Sequence, residues 1–162
     1  MKITTKMIAR AGVIAGLYTA ISMLVFPLAG GAVQIRISEA LCLLPLFFIE
    51  AIPALFIGCL VSNLILGLAV YDILLGSLIT LLSAVLTYLI GKLIKKHLIK
   101  VLIGGIFPVV LNAVFLPLIW LLCYGTIEYV YYLQVLILFI GQAVSVYLFG
   151  IPLYFAVSKK VK

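Results

Sequence analysis

The sequence predicts an all-α integral membrane protein with six transmembrane helices and both termini in the cytoplasm. Three observations predict it. Of 162 residues, 67% are hydrophobic and only 9% charged, against roughly half and about a quarter in a soluble domain. The charged residues cut the chain into long uncharged runs, and ten of the eleven basic residues lie where such runs begin or end. A hydrocarbon core about 30 Å thick needs about 20 helical residues per crossing. Six crossings therefore use most of the chain, and residues 1–162 read as a single six-helix domain.

The first run, 11 to 35, follows Lys2, Lys6 and Arg10. It is longer than the apolar region of a cleaved signal, so it reads as a retained helix. The second, 40 to 49, is short, but parity requires it. If Lys2 to Arg10 and the group Lys92, Lys95, Lys96 and Lys100 share the cytoplasmic side, an even number of crossings lies between them. Glu39 to Glu50 then forms a short helix, and Pro53 sits in the first turn of the next, where its missing N–H costs little. Runs 51 to 71 and 73 to 91 supply helices three and four. After Lys100, the break Tyr124-Gly125-Thr126-Ile127-Glu128 divides runs 101 to 127 and 129 to 158. It is flanked by Trp120, Tyr129, Tyr131 and Tyr132, which suit a membrane interface. Lys159, Lys160 and Lys162 close the chain at the cytoplasmic side.

The net charge of +7 is thus explained by the positive-inside rule, and nucleic acid is not an expected partner. Cys42, Cys59 and Cys123 show no metal-ligand or C-x-x-C spacing and read as buried thiols. No phosphate loop, H-E-x-x-H or G-x-S-x-G motif is present, so neither a cofactor, a metal nor an enzymatic activity is expected. His97 reads as a solvated residue of the lysine-rich loop.

Amide side chains in hydrocarbon face a protein interior or a wet cavity. At about 1.5 Å per residue, Asn63 lies about 20 Å from Glu50, Asn112 about 18 Å from Lys100, and Gln142 about 26 Å from Lys159. Three helices therefore bring an amide to similar depth, as an outward-opening pocket or as polar glue between helices. At the outer ends, Ser38 suits a cap on helix two with Glu39 favouring its N-terminal dipole, and Asp72 suits a cap on helix four; these local roles are compatible with ligand contact by Glu39 and Asp72. The alternation Val33-Gln34-Ile35-Arg36-Ile37-Ser38 suits a short extended segment over the pocket mouth. Arg36, the lone outer base, is expected to pair with Glu39 or Asp72 or to touch a ligand. Ala11-x-x-x-Ala15 with Gly12-x-x-x-Gly16, and Gly76, Thr80, Ser83 and Thr87, make small helix faces suited to internal packing or to another membrane protein.

Gln34-x-Arg36-x-Ser38-Glu39-Ala40, followed by Leu-Cys-Leu-Leu-Pro, with Gly58-x-x-x-x-Asn63, Asp72-x-x-x-Gly76 and Asn112, resembles the QueT family. These are substrate-binding (S) components of energy-coupling factor (ECF) transporters associated with queuosine precursors. The resemblance implies a multi-pass protein of the bacterial cell membrane that works with a membrane coupling protein (T component) and two cytoplasmic ATPases. It implies that Ala11 and Ala15 dock the coupling protein, and that the ligand is a 7-deazaguanine, first 7-aminomethyl-7-deazaguanine, then queuine. The implied contacts are Gln34, Arg36, Glu39, Asn63, Tyr71, Asp72, Asn112 and Gln142. An S component for another vitamin, or a small membrane enzyme, is the alternative.

Overall fold

The computed structural model describes residues 3–29 and 35–160, so Gln34 and the Gly30-Gly31 pair lie outside the described residues. Helix α1 spans Thr5–Ala29. A tight 3-10 helix follows at Ile37–Leu46, then α2 at Ala51–Ile65, α3 at Asp72–Leu93, α4 at His97–Tyr124 and α5 at Tyr131–Ser158. Four of these, α1, α3, α4 and α5, are long and apolar enough to cross a membrane, whereas Ile37–Leu46 and Ala51–Ile65 are shorter apolar helices. Among the described residues no strand occurs.

The boundaries follow local chemistry. Pro53 falls in the first turn of α2, where helices tolerate it. Helix α4 ends at Tyr124 because Gly125 turns left-handed, φ 71°, a conformation that glycine adopts without a Cβ penalty. Only Ile94, Lys95 and Lys96 separate α3 from α4, so His97 is the first residue of a helix and not part of a long loop. Its Nδ1 lies 2.9 Å from the Tyr154 hydroxyl.

The 3-10 helix is the hub. Ser38 to Leu46 are all buried, and the segment packs against α1, α2, α3, α4 and α5. Leu41, Cys42 and Leu44 join a cluster with Ile14 and Tyr18 of α1 and Leu55 and Cys59 of α2. Leu43 and Leu46 instead join Val101 and Val109 of α4 and Val146 and Tyr154 of α5. Glycines let the surrounding helices approach it. A Cβ on Gly91 would stand 2.8 Å from the Leu46 carbonyl oxygen, and one on Gly150 2.8 Å from Leu43 Cδ1.

Interior prolines create needs that side chains meet. Pro108 has no N–H for the carbonyl four residues back, and that carbonyl, Gly104 O, receives the Thr87 hydroxyl at 3.0 Å. The Gly76, Thr80, Ser83 and Thr87 stripe is buried and packs inside the bundle. Thr80 also reaches Cys59 Sγ of α2 at 3.5 Å. Helix α3 opens with a π turn, Asp72–Gly76, and α5 carries a second, Val144–Phe149, just before Pro152. Such widened turns relieve proline crowding and recur beside functional side chains.

Candidate functional site

One cavity, about 210 Å³, opens among the C-terminal ends of α1, α2 and α4 and the starts of the 3-10 helix and α3. These are the ends farthest along each element from the lysine groups. Its walls include Ser22 and Phe26 of α1, Arg36 and Ser38, Asn63 of α2, Asp72 of α3 and Trp120 of α4. Arg36 is extended, φ −102° and ψ 94°, which agrees with an extended approach to the helix. It lines the cavity but forms no ion pair with Glu39 or Asp72 among the described residues, so the expected pairing is not observed.

Asp72 is oriented from α4. Trp120 Nε1 donates to Oδ1 at 2.8 Å and the Tyr124 hydroxyl to Oδ2 at 3.0 Å. A carboxylate has about four acceptor sites, so capacity remains toward the cavity. The cap expected of the Asp72 side chain is not formed. Instead the Asn63 amide donates to the Asp72 backbone carbonyl at 3.3 Å, joining α2 to the start of α3. Tyr71, half exposed, meets the Tyr124 ring edge-on at 6.3 Å between centroids and is not part of the cavity wall.

A second polar group lies next to the cavity, reached through Ser38. Glu39 is 1% exposed. Its Oε1 accepts the Tyr18 hydroxyl at 2.6 Å, and its Oε2 accepts Cys42 Sγ at 3.1 Å and Asn112 Nδ2 at 3.4 Å. Asn112 Nδ2 also reaches Gln142 Oε1 at 3.5 Å, while Gln142 Nε2, fully buried, has no hydrogen-bond partner among the described residues. Glu39 does sit in the first turn of its helix, but its carboxylate turns to these side-chain donors. Ser38, expected as a cap, forms no cap bond and instead accepts the Ser22 hydroxyl at 2.8 Å. Two bonds thus tie α1 to the 3-10 helix, Ser22 to Ser38 and Tyr18 to Glu39.

The amide depths therefore bring Asn112 and Gln142 together around Glu39, while Asn63 belongs to the cavity with Arg36 and Asp72. Sequence reasoning missed Tyr18, Phe26 and the cavity-lining place of Trp120. A hydroxyl within an uncharged run, which needs a buried acceptor, was the available signal for Tyr18. On α1, Ala11 and Ala15 are partly buried against the α1–α2 core. A Cβ at Gly12 or Gly16 would meet nothing within 4 Å, so the open side of the small stripe is Gly12 and Gly16.

Long apolar helices around a cavity whose wall carries Arg36, Asn63 and Asp72 define a helical membrane protein. A family profile described as QueT transporter matches residues 8–159, and the chain belongs to the QueT transporter family, as a multi-pass membrane protein. Neither a curated protein nor a solved structure matches it.

Proposed function

We propose that residues 1–162 act as one substrate-binding unit, the S component of an ECF transporter that captures a queuosine precursor for uptake. The chain crosses the membrane six times in this reading, with both termini and the lysine groups cytoplasmic. A T component and two ATPases supply the energy. The ligand is a 7-deazaguanine, first of all 7-aminomethyl-7-deazaguanine.

The observation that carries the reading is the composition of the cavity wall. Phe26 and Trp120 offer aromatic faces, Asp72 a carboxylate, Asn63 an amide and Arg36 a guanidinium. A deazaguanine presents adjacent N–H donors, a carbonyl oxygen and a flat ring, and its aminomethyl group is cationic near neutral pH. Asp72 suits the donors or the ammonium, Arg36 or Asn63 the carbonyl, and the rings suit stacking. A volume of about 210 Å³ is below the ~300–1,000 Å³ of drug-sized sites, which favours a small bicyclic base. Glu39, Asn112 and Gln142 form the adjoining polar layer, Tyr71 an outer contact, and Gln34 is assigned with Arg36 from their shared motif. Coupling to the T component is assigned to the small face of α1, Ala11 and Ala15 with the open Gly12 and Gly16 beside them.

Calorimetric titration of 7-aminomethyl-7-deazaguanine into the purified protein tests the reading. Saturable binding, weakened about 10-fold to 150-fold in Asp72→Asn through loss of a charge-assisted bond of about 1.5–3 kcal/mol, is expected. No binding by the folded wild type, or chemical turnover of the compound, overturns it.

A further inference from the structure

At the lysine-rich end of the bundle a separate cavity of about 290 Å³ lies between the first turn of α4 and the last turn of α5. It is lined by His97, Phe155, Ser158 and Lys159, and it shares no residue with the polar cavity described above. The geometry points to a binding site for the phosphate of an anionic phospholipid.

Three features of the site carry this. Its charge is uncompensated: Lys92, Lys95, Lys96, Lys100, Lys159 and Lys160 gather at this end, and among the described residues none of them forms an ion pair. Of the acids, Glu50 is bonded to Arg10 at 2.6 Å, Asp72 is engaged at the other cavity and Glu39 in the buried group beside it, and Glu128 follows the far end of α4. A phosphate would supply the missing negative charge.

The donors are arranged for an oxyanion. His97 Nδ1 is engaged by the Tyr154 hydroxyl at 2.9 Å, which leaves Nε2 for a ligand; Nε2 is a donor in the tautomer whose Nδ1 accepts and in the protonated ring. Lys159 adds an ammonium. Lys96, at the cap position of α4, gives no side-chain cap, so the first-turn N–H groups and the positive end of the helix dipole add to the field.

The surroundings select a lipid over free phosphate. Phe155 is both a lining residue and exposed, and Leu98, Ile99 and Leu102 of α4 are exposed nearby in sequence. A headgroup in the cavity would leave its acyl chains against an apolar surface. Basic recesses between membrane helices bind anionic headgroups in this way.

Native mass spectrometry of the full chain in detergent, with dioleoylphosphatidylglycerol and dioleoylphosphatidylcholine as competing probes, tests the site. The wild type is expected to retain the anionic lipid preferentially. Lys159→Gln is expected to weaken retention about fivefold, the value of one interfacial charge, and His97→Gln to weaken it as well. Lys6→Gln, an exposed lysine on α1, is the control and keeps retention. Melting temperature checks folding, and Lys159→Gln serves if His97→Gln fails to fold. Equal retention of the two lipids, or equal loss in all three variants, overturns the site. Displacement of the lipid by millimolar inorganic phosphate alone would reassign it to free phosphate and overturn the lipid.

Discussion

Removing the Tyr18 hydroxyl is the sharpest probe of the buried polar layer. Tyr18 and Glu39 are each 1% exposed, and their oxygens lie 2.6 Å apart, within the 2.5–2.7 Å range of a hydroxyl donating to a carboxylate. Tyr18→Phe keeps the ring and leaves Oε1 without this donor, while Oε2 keeps Cys42 and Asn112. A hydrogen bond to a charged group contributes about 1.5–3 kcal/mol. Tyr131→Phe is the comparison, because its hydroxyl donates to a neutral carbonyl, Val114 O, at 3.1 Å. That loss is expected to cost about 0.5–1.5 kcal/mol. Equilibrium unfolding in one detergent measures both variants, together with Glu39→Gln and the Tyr18→Phe, Glu39→Gln double variant. The cycle should return a coupling of about 1 kcal/mol or more, since the two groups are in direct contact. Additive effects, or a Tyr18→Phe no costlier than Tyr131→Phe, would refute a charge-assisted bond here.

Other outcomes are equally specific. Trp120 is the sole tryptophan and lines the cavity, so its emission should change saturably on addition of 7-aminomethyl-7-deazaguanine. A flat titration alongside calorimetric binding would move the ligand elsewhere. Thr87→Val should destabilise by about 1–3 kcal/mol in unfolding experiments, because Gly104 O, already deprived of a partner by Pro108, loses the hydroxyl as well. Gly91→Ala should cost about 1–3 kcal/mol by forcing a Cβ against the Leu46 backbone, whereas Gly12→Ala, with open space around it, should be neutral or stabilising. Lys95→Cys and Glu128→Cys in a cysteine-free background should label from opposite membrane faces. Labelling of both from one face would contradict the six-crossing topology.

Much of this arrangement was legible because charge is costly in lipid. Lys92 to Lys100 bracket the α3–α4 junction, and the Tyr124-Gly125 break coincides with the end of α4. Depth counting also worked for Asn112 and Gln142, since helical rise fixes depth whichever way each helix faces. It did not separate Asn63 from them, because rotation about the helix axis is invisible to depth. The Arg10–Glu50 pair joins residues forty positions apart; as sequence the two charges only marked run boundaries. The 3-10 winding of Ile37–Leu46 was hidden too, because a uniformly apolar run such as Ala40 to Ile49 carries no period. Ser38 read as a local cap and Glu39 as a partner of the helix dipole because their observed partners, Ser22 and Tyr18, come from another helix.

The 3-10 hub also constrains how the protein is made. Ten residues at about 2.0 Å each extend about 20 Å, which falls short of the about 30 Å of hydrocarbon that an independently inserted span must cover. The segment contains Glu39 and Pro45, and its polar groups tolerate a lipid setting only when other protein surrounds them. The walls that enclose it include Gly91, Gly104 and Gly150, all synthesised after it. Ile37–Leu46 therefore gains its full enclosure only once α3, α4 and α5 are in place, although it precedes all three in the chain. A nascent chain truncated before α5 lacks Gly150 and the Val146–Tyr154 wall, and would leave this segment without its enclosure.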